Sequence, residues 1–234
     1  MSFTAAYGGE RIVAYLFTPR SIPPPYQPVI FFPGSNAILL RSSEELDYLW
    51  IMSAVVRSGR ALLLPVYKST YERGDGVTSD VPNRSASYRD HVMMWAKDVR
   101  RSIDYLDTRG DLDHGHLALY GFSWGAALAP LLLAVEPRIN VGIMLGGGLC
   151  MQDSMPEADP FNFAPLVRQP MLMLNGRYDF FFPVDTSQRP LFDRLGSAPA
   201  DKRHVVFDAG HLPPNDLFTK EVLDWLDRHL GPVG

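Results

Sequence analysis

Leu117-Ala118-Leu119-Tyr120-Gly121-Phe122-Ser123-Trp124-Gly125-Ala126-Ala127 reads, in order, as a short apolar strand, a glycine–serine–glycine turn and the opening of a small-residue helix. Five of these residues match G-x-S-x-G, in which a serine sits on a tight strand-to-helix turn with its hydroxyl lifted clear of the sheet. Crowding explains the glycines, because a side chain at Gly121 or Gly125 would collide with neighbouring backbone. The helix that follows points its first N–H groups at the same spot, where they can stabilise an anion. A five-residue pattern is weak by itself. Its weight comes from a strand before it, a helix after it, and an acid and a histidine downstream.

The chain on either side supplies that context. Apolar and polar residues alternate over 3–7 and 11–17 around Gly8-Gly9, which predicts an antiparallel hairpin. Residues 19–28 hold five of the 20 prolines and read as a stiff loop. Val29-Ile30-Phe31-Phe32 is a continuous apolar run, as in a strand buried on both faces, and it ends in the turn Pro33-Gly34-Ser35-Asn36. Ser42-Ser43-Glu44-Glu45 contains an S-x-x-E capping box, predicting a helix from there to Gly59. Residues 61–66 are the next buried strand. Residues 68–87 are polar without periodicity and read as a long surface loop, able to close over one edge of a site. Tyr88, Val92, Trp95, Val99, Ile103 and Leu106 then step by threes and fours, a long helix with one core face.

Strands are also predicted over 141–145, 171–174 and 204–207, with a weaker helix over 187–195 and a C-terminal helix through Phe218, Val222, Trp225, Leu226 and Leu230. Alternation of buried strands with helices marks an α/β fold: a mostly parallel central sheet with helices on both faces, fronted by the hairpin. No repeat or second domain is visible, so residues 1–234 are expected to form one domain. Asp111 to His116 is dense in Asp and His, but has no recognised metal-ligand spacing and reads as a polar connection. Cys150, the only cysteine, reads as a buried small residue and excludes an intrachain disulfide. Pro130 falls inside the helix after the turn and removes one backbone donor there.

Composition narrows the function. The chain is 46% hydrophobic and 21% charged, with a net charge of −4, so no basic field attracts nucleic acid or anionic membrane. No apolar run approaches a membrane span. Met1-Ser2-Phe3-Thr4 lacks the basic and apolar regions of a signal peptide, and a cytoplasmic location is the expectation.

In an open α/β sheet, ligands sit beyond the carboxyl ends of the strands. Four turns at such ends carry unusual residues: residues 33–36, the elbow at 121–125, Asn175-Gly176-Arg177-Tyr178-Asp179, and Asp208-Ala209-Gly210-His211. Serine, acid and histidine therefore occur in the order Ser123, Asp179, His211. Asp185 and Asp153 are alternative acids, one close to Asp179 in sequence and one following the preceding strand.

With these residues the chain resembles the α/β-hydrolases, in particular dienelactone-hydrolase-like esterases, over nearly its whole length. The Gly-Phe-Ser-Trp-Gly elbow, the Asn-Gly-Arg-Tyr-Asp turn with Phe180-Phe181-Phe182-Pro183 behind it, and the Ala-Gly-His turn carry the likeness. It is similar also to hydrolase domains appended to bacterial serine/threonine protein kinases. The resemblance implies an α/β-hydrolase fold with a minimal cap and no cofactor or metal. Dienelactone hydrolases themselves use a cysteine where this chain has Ser123, which favours an ordinary serine esterase.

Ser123 is then the candidate nucleophile, His211 the base and later the acid, and Asp179 the group that fixes the imidazole. The oxyanion hole is expected from the N–H of Trp124 and that of Ser35, with Asn36 as the alternative. Phe32, Tyr67, Tyr71, Trp124, Phe180 and Phe181 fall in or beside strand-end loops and are candidate substrate contacts, suited to an apolar acyl or aromatic alcohol group. The expected activity is hydrolysis of small or medium carboxylic esters through an acyl-enzyme. A serine peptidase or amidase and a non-catalytic hydrolase-fold binding module are the alternatives.

Overall fold

In the computed structural model, which describes residues 1–20 and 22–233, eight strands form one sheet among the described residues. They are β1 (Ser2–Thr4), β2 (Arg11–Phe17), β3 (Pro28–Phe32), β4 (Ala61–Pro65), β5 (Ala118–Phe122), β6 (Val141–Leu145), β7 (Met171–Gly176) and β8 (Lys202–Phe207). Their order is β1-β2-β4-β3-β5-β6-β7-β8. β2 pairs antiparallel with β1 and with β4, and every other pairing is parallel. The helices are α1 (Asn36–Leu39), α2 (Leu49–Arg57), α3 (Ala86–Leu106), α4 (Trp124–Val135), α5 (Pro160–Phe163), α6 (Arg189–Arg194) and α7 (Asn215–Leu230).

Strand alternation divides the apolar core into two layers. Ile30 and Phe32 of β3 and Leu119 of β5 face α3 and α4, whereas Val29, Phe31, Ala118 and Tyr120 face α2 and α7. The centre of the sheet is therefore apolar on both faces, as its uninterrupted Val/Ile/Leu/Phe runs require. α3 begins where Ser85 accepts the Tyr88 N–H at 3.1 Å, and all six residues of its expected stripe are buried. The chain runs from β3 to β4 on one side and then crosses to β5 on the other. This reversal opens a crevice at the carboxyl ends of β3 and β5.

Two expectations need correction. The helix predicted from the box at Ser42 starts only at Leu49. Ser42 accepts the Glu44 N–H at 3.3 Å, the N–H and hydroxyl of the adjacent Ser43 donate to the Glu72 carboxylate at 3.0 and 2.7 Å, and Leu46 takes a left-handed φ of 49°. Residues 68–87 are likewise not a free surface loop. Ser69, Thr70 and Tyr71 are buried, and the Arg73 guanidinium donates to Asp98 of α3 at 2.6 Å and to the Val66 carbonyl at 2.8 Å. The segment is pinned because a buried carboxylate such as Asp98 requires a partner.

Candidate active site

β5 delivers Ser123 to the crevice in a backbone conformation that a serine rarely adopts, with φ 51° and ψ −107°. The Ser123 N–H donates to the Leu145 carbonyl at 2.8 Å, and the Gly125 N–H donates to the Pro33 carbonyl at 3.1 Å. Both glycines of the elbow are sterically required. A Cβ on Gly121 would stand 2.5 Å from the Gly125 carbonyl oxygen, and one on Gly125 would overlap the carbonyl of Phe32.

The acid and the histidine come from the ends of β7 and β8, whose turns touch so closely that any Cβ on Gly176 would overlap the Gly210 carbonyl. Asp179 is only 3% exposed. Its Oδ1 accepts the N–H groups of Phe181 (2.9 Å) and Phe182 (3.2 Å), and its Oδ2 lies 2.9 Å from His211 Nδ1. His211 Nε2 lies 2.9 Å from Ser123 Oγ. A carboxylate accepts only, so Nδ1 carries the proton, and Nε2 of the neutral ring accepts from the serine hydroxyl. Phe182 stacks on the imidazole at 6.0 Å between ring centres, and Phe181 meets it edge-on at 5.0 Å. The alternative acids lie elsewhere: Asp153 pairs with Arg84 at 3.1 Å and Asp185 with Arg189 at 2.6 Å.

No family model and no curated protein matches the chain. Solved structures do match. A cold-adapted esterase from an Arctic intertidal metagenomic library superposes with a TM-score of 0.72 at 15% identity, covering 98% of this chain and 92% of that one. A Klebsiella pneumoniae protein assigned as a dienelactone hydrolase gives 0.72 at 19% identity, covering 97% and 98%. The Butyrivibrio proteoclasticus protein Est1E, solved with ferulic acid, gives 0.69 at 16% identity, covering 98% of each chain. This chain has the α/β-hydrolase fold. Identities this low extend the likeness to the fold and no further.

In an α/β-hydrolase fold the turn after β3 faces the elbow, and here a Cβ on Gly34 would sit 3.4 Å from that of Ser123. Ser35 is half-buried beside the elbow, whereas Asn36 is exposed and its side-chain amide donates to Asp47 at 2.9 Å. Trp124, first residue of α4, has no carbonyl one turn earlier in the helix to receive its N–H.

The expected substrate contacts divide. Phe180 and Phe181 are exposed at 86% and 63%, next to His211. Phe32, Tyr67 and Tyr71 are corrected to interior residues. Phe32 stacks on Tyr67 at 4.0 Å and meets Trp124 edge-on, and the Tyr67 hydroxyl donates to the Phe31 carbonyl at 3.1 Å. Tyr71 packs into the layer that holds Tyr48 and Phe31. Their side chains turn back under the crevice.

Beside Trp124 lies a cavity of about 340 Å³ that sequence reading missed. Asp80, Tyr88, Cys150, Asp153, Asp159 and Phe161 are in its wall, and among the described residues no Lys, Arg or His lines it. Burial raises the carboxyl pKa of Asp80, which lies beside the Ser35 hydroxyl, and that of Asp159. Cys150 is exposed, a correction to its expected burial, because the chain leaves the core through Gly146-Gly147-Gly148 after β6. Cys150 nonetheless lines the cavity, and burial of the thiol there, then Asp80 and Asp159, push its pKa up to about 12. Asp80 and Asp159 gave no signal in sequence, because they lie 79 positions apart and only the fold brings them together. Among the described residues no group of three or more His, Cys, Asp or Glu side chains is arranged to hold a metal, and no helix is long and apolar enough to cross a membrane. His116 pairs with Asp113 at 2.8 Å instead.

Proposed function

We propose that this chain is a serine hydrolase that cleaves carboxylic esters through an acyl-enzyme. The observation that carries the reading is the continuous hydrogen-bond path from Ser123 Oγ through both nitrogens of His211 to the buried Asp179. As the Ser123 oxygen attacks the ester carbonyl carbon, His211 Nε2 takes its proton, and Asp179 stabilises the imidazolium. The carbonyl oxygen becomes an oxyanion between the N–H groups of Trp124 and Ser35, where each donor contributes on the order of 10²- to 10³-fold in rate. Collapse expels the alcohol, which takes the proton from Nε2. A water molecule then repeats the sequence and frees the acid and Ser123.

The deciding experiment is Ser123→Ala, assayed on p-nitrophenyl acetate with the fold checked by circular dichroism. Turnover is expected to fall by at least about 10³-fold, and a fluorophosphonate probe should no longer label the protein. Retained turnover would sink the reading.

The cavity beside Trp124 supports a preference within that class. Asp153 is paired with Arg84, but Asp80 and Asp159 have no such partner in the wall and burial already disfavours their charge, so an acyl group bearing a carboxylate would bring further negative charge against them. Neutral esters are expected to be turned over at least about tenfold more efficiently than size-matched anionic ones, a difference of roughly 1.4 kcal/mol. Equal kcat/KM values for a methyl-terminated and a carboxylate-terminated acyl ester would remove the cavity from substrate binding.

A further inference from the structure

The two N–H groups assigned to the oxyanion are held in place by unequal means. The trans peptide is planar, so the carbonyl of one residue and the N–H of the next point in opposite directions and turn together. Anchoring the carbonyl therefore aims the N–H. For Trp124 the relevant carbonyl is that of Ser123, which accepts the Ala127 N–H at 2.9 Å as part of the first turn of α4. α4 is twelve residues long and packed on the sheet, so this peptide plane is fixed by regular helix.

For Ser35 the carbonyl is that of Gly34. It accepts the Ala37 N–H at a longer 3.2 Å, and the four-residue α1 that follows is too short to hold a peptide plane by helix cooperativity. Gly34 adds no side chain to resist rotation. A second donor reaches the same oxygen from another part of the chain: the Tyr48 hydroxyl donates to the Gly34 carbonyl at 3.0 Å. Tyr48 is 3% exposed, and its ring packs against Phe31 at 5.8 Å and Phe122 at 5.9 Å between centres. Phe31 belongs to the strand leading into the turn, and Phe122 immediately precedes Ser123. The phenol is thus seated on both walls of the crevice. Burial, with Asp47 nearby, keeps its pKa above the ordinary tyrosine value, so it remains a donor.

We infer that Tyr48 is a positioning residue for the oxyanion hole, whose hydroxyl locks the Gly34–Ser35 peptide so that the Ser35 N–H faces the reacting carbonyl. This rests on the serine-hydrolase reading and also decides between the two candidates in the turn, in favour of Ser35 over Asn36. A donor on the carbonyl further polarises the same peptide unit and strengthens the N–H bond on its other side.

The test is Tyr48→Phe, which keeps the ring and removes the hydroxyl. Its comparison is Tyr26→Phe, which removes a hydroxyl bonded to the Ile22 carbonyl at 3.0 Å, outside the crevice. For p-nitrophenyl acetate, kcat should fall roughly 10- to 100-fold in Tyr48→Phe with KM little changed. Affinity for an aryl trifluoromethyl ketone, which adds Ser123 and places an oxyanion in the hole, should fall by a similar factor. The pH profile should keep its shape, because Asp179 and His211 are untouched. Tyr26→Phe should retain wild-type kinetics. An unchanged kcat in Tyr48→Phe, or a lower kcat with unchanged ketone affinity, would overturn the inference. If Tyr48→Phe does not fold, a crystal structure of the wild-type protein with a phosphonate on Ser123 decides. The phosphonyl oxygen should accept from Ser35 N–H, and acceptance from Asn36 N–H instead would overturn it. Inactivity of the wild-type protein on every ester, or retained turnover in Ser123→Ala, is the separate failure of the serine-hydrolase reading.

Discussion

Two groups of aromatic side chains stand at the strand ends around Ser123, and they differ in what surrounds them. Phe32 and Tyr67 lie face to face beneath the crevice, fully buried, with Trp124 edge-on against Phe32. Phe180 and Phe181 stand in solvent beside His211, and Phe181 meets the imidazole edge-on. Both groups come from the carboxyl ends of strands, Phe32 closing β3, Tyr67 just after β4, and Phe180 and Phe181 in the turn after β7. What separates them is the next stretch of chain. After β3 and β4 it folds back over the rings through α1 and the pinned residues 69–73. After β7 the turn directs the backbone N–H groups of Phe181 and Phe182 inward to Asp179, which leaves the Phe180 and Phe181 rings on the outside. Inner rings support the floor on which Ser123 and the Gly34–Ser35 turn rest, and outer rings are placed to meet a substrate.

That division can be broken by substitution. The largest effect is expected for Phe32→Ala, which removes a fully buried ring under the elbow. It should cost about 3–5 kcal/mol of folding stability in denaturant titration, and a loss below about 1 kcal/mol would contradict the ring's assignment to the floor. Phe181→Ala should have the smaller and opposite signature. Its ring is 63% exposed, so the melting temperature should hardly move. Loss of about 1 kcal/mol of apolar contact with an aromatic ester corresponds to a roughly fivefold fall in kcat/KM. If Phe181→Ala instead lowered stability and left aromatic and aliphatic esters equally affected, the lip would be structural and the contrast with Phe32 would vanish.

The same contrast explains how much was legible beforehand. The turns carrying Ser123, Asp179 and His211 stood out because glycines and polar residues interrupt apolar runs at strand ends, where backbone crowding leaves few residue choices. Periodicity sufficed for α3 and α7, since a one-sided helix repeats its burial every three to four residues. Local reading failed where a distant partner intervened. Ser42 opens the S-x-x-E pattern, yet Glu72 takes both donors of its neighbour Ser43, 29 positions earlier. Residues 68–87 look like free loop until Asp98 claims Arg73. Cys150 looks like core until the three glycines lead the chain outward.

The amino-acid order by itself determined the α/β layering, the serine–acid–histidine sequence and the three turns that hold them, because these depend on local backbone crowding and on hydrophobic period. Tertiary structure alone decided which aromatic rings face inward, that Asp179 rather than Asp153 or Asp185 reaches His211, and that the phenol of Tyr48 finds the Gly34 carbonyl. Each of these is a side-chain contact across separate elements. Sequence spacing carries no trace of such contacts, since the sheet order that creates them is set by packing of the whole chain.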